Sequence, residues 1–215
     1  ATGFGDETMT NYDVPAFQYG GETYTRIASD TFDYVVVGGG TAEDNDCCNT
    51  QTFPDPARPN NVLAPYWTDL SLDPATGGGA IRVGTLSDGT NHWLVVDYDQ
   101  VQAWGHGPAS SFEIWIQTGT TEGQWFSYGT LGGSAGAPLS SGAENRDGTS
   151  GVNITAASGT EWAITTAPPT PGGSVSLGYR ATARQPGTQT LTARLSSPII
   201  RATPVVQTAV TVTRR

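Results

Sequence analysis

No window of useful length in this chain carries the 3.6-residue apolar period of an amphipathic helix. Short β-branched and aromatic runs recur in its place, each cut off by glycine, proline or a polar turn. Phe32 to Val37 runs into Gly38-Gly39-Gly40. Ala80 to Leu86, His92 to Tyr98 and Ser111 to Gln117 follow, separated by Ser-Asp-Gly-Thr-Asn and by Gly105-His106-Gly107-Pro108. Gln124 to Leu131 and Gly151 to Thr155 read as two more strands, with a polar, turn-rich stretch from Ser141 to Gly148 between them. With 28 glycines and 14 prolines in 215 residues, the pattern predicts an all-β fold, a β-sandwich or barrel.

The charge is divided as sharply as the strands are. Residues 1–161 carry four arginines against all twenty carboxylates, a net of −16, whereas residues 162–215 carry six arginines and no acid, a net of +6. We therefore divide the chain into an acidic body, 1–161, and a basic C-terminal β unit, 162–215, with a Pro/Gly-rich linker at 167–173. In the basic unit Val175, Leu177, Tyr179, Ala181 and Ala183 alternate with Arg180 and Arg184 on the opposite face, and Leu191, Ala193 and Leu195 alternate with Arg194. Together with 162–166 and 205–215 this makes about four strands, too few for an immunoglobulin-type sandwich of about seven. An incomplete sheet must be covered, by the body or by another chain. The arginines mark self-association, or packing of the tail on its own body, as what covers it.

Other classes are excluded or demoted by chemistry. No stretch approaches the roughly 18 apolar residues of a membrane-spanning helix, and a pI near 4.4 argues against nucleic acid. The absence of an apolar leader predicts a mature secreted protein. Cys47 and Cys48 are the only cysteines and are adjacent. Consecutive Cα atoms lie about 3.8 Å apart, so a bond between them needs a strained vicinal ring. An extracellular location favours that ring over two free thiols or bonds to a neighbouring chain.

Gly132 to Gly136 matches GxSxG, but Pro138 and Gly142 forbid the helix that must follow Ser134, and both histidines, His92 and His106, precede it. Asp97 and Asp99 share a strand face and form a weak candidate for paired-carboxylate chemistry. No catalytic residue and no cofactor are expected. Calcium is the candidate ion, with Asp44 and Asp46 in one loop and Asp69 and Asp73 around another. Trp67, Trp93, Trp115 and Trp125 lie within strand-like runs and read as core, leaving Trp104, beside a Gly-His-Gly loop, as the candidate exposed ligand aromatic. Asn153-Ile154-Thr155 is a glycosylation sequon in a strand.

Phe53 to Leu70, reading FPDPARPNNVLAPYWTDL, with Val83 to Tyr98 and Gly142 to Arg146, resembles a domain appended to secreted bacterial subtilisin-like peptidases. The layout is also similar to nidogen-like extracellular domains, and the likeness runs over roughly residues 20–160, with a looser Ig-like likeness beyond. The resemblance implies a non-catalytic extracellular β-sandwich used for binding or architecture. The chain lacks the peptidase, so an accessory role requires a longer parent, and the Cys47-Cys48 pair departs from the pattern. The favoured expectation is a structural, self-assembling subunit that forms filaments or surface arrays, its basic sheet docking on the acidic body of a neighbour. The alternative is a module that holds a subtilisin-like peptidase on an extracellular polymer or the cell surface.

Overall fold

The computed structural model describes residues 2–3, 5–47, 49–165, 187–194 and 205–212. In chain order the strands are β1 (Thr2–Gly3), β2 (Met9–Tyr19), β3 (Glu22–Asp30), β4 (Val35–Val37), β5 (Val62–Trp67), β6 (Leu70–Ser71), β7 (Ala80–Ser87), β8 (His92–Ala103), β9 (Ala109–Gln117), β10 (Gln124–Tyr128), β11 (Ser140–Glu144), β12 (Gly151–Asn153), β13 (Glu161–Ile164), β14 (Gly187–Arg194) and β15 (Val205–Val212). A single 3-10 turn, Ala42–Asp44, is the only helical element among the described residues.

Two antiparallel sheets make a β-sandwich. The first has the order β1-β7-β8-β9-β10-β13, with β6 also paired to β8; the second has the order β12-β11-β5-β4-β3-β2. Strand alternation drives the packing: along β9 and β10 every second residue is buried, so Phe112, Ile114, Ile116, Phe126 and Tyr128 enter the core. Facing them from the second sheet are Phe17, Tyr19, Ile27, Val35 and Leu63. Phe112 ties the layers together, its ring 4.8 Å from that of Tyr98 and 5.6 Å from that of Tyr66.

A second core lies on the far side of the second sheet. Phe32, Tyr34, Val36, Phe53, Val62, Ala64 and Trp67 form it, which is why β4 and β5 are buried along their whole length. Trp67 is fully buried, its ring centroid 4.5 Å from that of Tyr34, and its Nε1 donates to the carbonyl of Asp46 at 3.2 Å. The segment between β4 and β5 thus folds back over its own sheet. Tyr34 Oη pins it by donating to the carbonyl of Asp44 at 2.6 Å and accepting from the amide of Asp46 at 3.0 Å.

Two of the three segments that carried the resemblance, 53–70 and 142–146, meet here. β11 pairs with β5, Glu144 Oε2 accepts the amide of Asp55 at 2.8 Å, and the carbonyl of Asn145 accepts the amide of Asn61 at 3.1 Å. A Cβ on Gly142 would lie 2.1 Å from the carbonyl oxygen of Val152, so only glycine lets β12 approach so closely.

Several strands differ from expectation. Phe32, Asp33 and Tyr34 are not strand but the turn between β3 and β4, where Asp33 adopts φ 70°, a left-handed conformation that aspartate tolerates. The stretch read as turn, Ser141 to Gly148, begins inside a strand, Ser140–Glu144, that lies beside β5. The chain separates into two compact units, 1–170 and 171–215. Residues 162–164, placed in the basic unit on charge, belong to β13, which pairs with β10 in the first sheet. In the second unit β14 and β15 form a two-stranded antiparallel sheet, with Arg194 opposite Val205. Arg180, Arg184 and the linker from residue 167 lie outside the described residues.

Candidate functional site: an aromatic depression on the outer sheet face

The outward residues of β8, β9 and β10 are half-buried rather than polar and fully exposed. Register explains which they are. Trp125 sits directly opposite Trp115, and Trp93 lies one pleat along, opposite Gln117, so three indoles gather across three neighbouring strands. Trp93 and Trp115 meet edge to face, with centroids 6.0 Å apart and planes at 74°. With Glu113, Gln117 and Glu161 they line an open depression of about 460 Å³. Trp115 Nε1 donates to Glu113 Oε2 at 2.7 Å, fixing that carboxylate beside the ring. Among the described residues no arginine or histidine lines the depression.

Sequence reasoning put all four strand tryptophans in the core, and only Trp67 is there. The outward direction of the other three was hidden because β8 is apolar on both faces: Leu94, Val95 and Val96 are all buried, though Val95 points outward beside Trp115. Trp104 is 54% exposed as expected, but it lies elsewhere, its amide donating to the carbonyl of Asp69 at 3.0 Å.

The four aspartates proposed for calcium have separate local duties. Asp44 Oδ2 accepts the Thr41 amide and hydroxyl at 2.9 and 3.0 Å in a capping box, and its other oxygen lies 3.5 Å from Arg58 Nε. Asp46 Oδ1 accepts from Asn49 Nδ2 at 3.1 Å, and Asp73 Oδ1 accepts the Ala75 amide at 2.8 Å as an Asx turn. Asp69 is raised above the usual carboxylate range by burial and by the charges of Asp6 and Glu7. Among the described residues no group of three or more histidine, cysteine, aspartate or glutamate side chains has an arrangement that could hold a metal ion. Cys47 is disulfide-bonded and its Sγ lies 3.9 Å from Asp69 Oδ1; Cys48 lies outside the described residues.

Two carboxyls are wholly buried. Burial pushes Asp30 up to about 8, although its Oδ1 accepts the Phe32 amide at 2.8 Å. Asp33 is raised well above the usual range by burial and then by Asp30, and neither of its oxygens has a hydrogen-bond partner among the described residues. Burial favours the neutral form of both acids at the β3–β4 turn.

The remaining candidates are structural too. Asp97 and Asp99 both grip Arg82, at 3.0 and 2.8 Å. Ser134 donates its hydroxyl to the carbonyl of Ala137 at 2.8 Å, inside a turn. The Asn153 amide is engaged on both sides by the backbone of Phe53, so a glycan there would break the link between β12 and the covering segment.

Fold and site together define a two-sheet β-sandwich module with an aromatic outer face. The family model described as NIDO related, for nidogen-related domains, matches residues 2–194, and the chain belongs to that family. This is a non-enzymatic type of domain. Comparisons with curated proteins and with solved structures find no match.

Proposed function

We propose that this chain is an extracellular, non-catalytic binding module with an adhesive role, and that the depression lined by Trp93, Trp115 and Trp125 is where it engages its partner. The observation that carries the reading is the placement of three indoles on one outer sheet face. Aromatic side chains left half-exposed together are costly in water and are typical of the anchoring centre of an interface. An accessory module of a secreted subtilisin-like peptidase would use such a face to hold the enzyme on an extracellular polymer.

The division of charge favours a second reading, a structural subunit that self-associates through its basic tail. Both readings are tested by measuring partition of the full chain onto immobilised copies of itself and onto insoluble extracellular polymers such as chitin and collagen fibres. Trp115→Ala, with an unchanged melting temperature, is expected to lose whichever binding the wild type has. Full retention by that variant would move the partner site off this face.

A further inference from the structure

We infer that the aromatic depression of one copy receives arginine side chains from residues 171–215 of a second copy, so that the two readings above describe one head-to-tail contact. The inference rests on the proposal that this face binds a partner, and it names the partner.

Geometry argues first. Trp93 and Trp115, set at 74°, form a corner and not the flat floor across which a sugar ring or a crystalline polysaccharide stacks. The face of an indole is the negative side of its quadrupole, and a cation set over it is attracted. Here Glu113 and Glu161 add two carboxylates to the same depression, the first held in place by Trp115 Nε1 at 2.7 Å. Indole walls with acid at the rim are a receptor for a cationic group. A guanidinium fits best, because it is planar, weakly hydrated and able to stack on an indole while donating to a carboxylate.

Charge accounting then selects the source. The body's four arginines are all engaged by its own acids: Arg26 with Asp13, Arg58 with Glu43 and Asp44, Arg82 with Asp97 and Asp99, and Arg146 with Glu22. The chain has no lysine. Its other six arginines, Arg180, Arg184, Arg194, Arg201, Arg214 and Arg215, all fall in residues 171–215, where there is no carboxylate to pair with. Each copy therefore carries an acidic aromatic receptor and, in residues 171–215, six arginines in a segment that contains no acidic side chain. A contact that uses different surfaces on the two partners is heterologous and can propagate.

The test is complementation between two defective copies of the full chain. Variant one carries Trp115→Ala or, to leave the sheet intact, Glu113→Gln with Glu161→Gln. Variant two carries Arg180, Arg184 and Arg194 changed to Glu. By sedimentation velocity at low salt the wild type self-associates, and each variant alone does so at least about tenfold more weakly. An equimolar mixture forms a one-to-one pair, because one member retains an intact tail and the other an intact depression, and 0.5 M salt disperses it. A wild type that is monomeric at every concentration overturns the inference. So does unchanged association of the depression variants, or a mixture no stronger than its parts. Failure here leaves the binding reading standing if Trp115→Ala still abolishes partition onto a polymer, and that reading falls only if both assays ignore the substitution.

Discussion

The two sheets treat their outer faces in opposite ways. On the second sheet, Trp67, Tyr34, Phe32 and Phe53 are roofed by the chain's own β4–β5 connection and become a second core. On the first, Trp93, Trp115 and Trp125 have a similar mass of aromatic surface but stay half-buried around an open depression. The same residue type thus fills a closed core on one face and lines an open depression on the other. What separates the two is whether the sequence supplies a covering segment with backbone groups to bind it, as Asp44, Asp46 and Phe53 do for the second sheet.

The contrast can be broken by substitution. Trp67→Ala should destabilise the fold by about 3–5 kcal/mol in denaturant titration, the cost of emptying a closed core site. Trp115→Ala should cost about 1 kcal/mol, since water already reaches that ring, while removing partner binding. Equal losses at the two sites would erase the distinction.

The covered side also carries a pH dependence. Folded Asp30 keeps its proton up to about pH 8, whereas an unfolded aspartate releases it near its ordinary value of 3.8. Across that window the folded state binds more protons, so stability is highest below the unfolded value and falls as pH rises towards 8, by roughly 1.4 kcal/mol per pH unit for one such group. Asp30→Asn retains an acceptor for the Phe32 amide and should flatten the slope, making the variant the more stable protein at pH 8. An unchanged slope in urea titrations at pH 5, 6.5 and 8 would contradict this assignment. The smallest effect belongs to the exposed clamp on the first sheet: Arg82→Gln should leave the melting temperature unresolved from wild type, as for most surface ion pairs.

Much of this architecture is readable from residues. β7, β8 and β9 announce themselves by β-branched alternation and Gly-rich turns, and the charge division is plain. The β2–β3 hairpin carries a sequence signal of its own, since Gly20-Gly21, at φ 61° and 76°, is the two-glycine turn that joins twisted strands. β11 was not readable: Ser140, Ser141, Gly142 and Ala143 have little strand propensity, and they are selected by the close approach of β12. The site was half legible. Tryptophans at strand spacing were evident, but alternation fixes two faces without saying which is inside, and the apolar neighbours Leu94, Val95 and Val96 after Trp93 and Ile114 and Ile116 around Trp115 removed the usual polar marker.

The most direct measurement is residue-resolved tryptophan oxidation of the full chain by hydroxyl radicals, read by mass spectrometry in dilute and in concentrated protein. The account predicts that Trp67 is unreactive throughout, that Trp93, Trp115 and Trp125 react in dilute solution, and that their rates fall together as the chain associates. Constant rates at those three while particles grow, or a reactive Trp67, would contradict it.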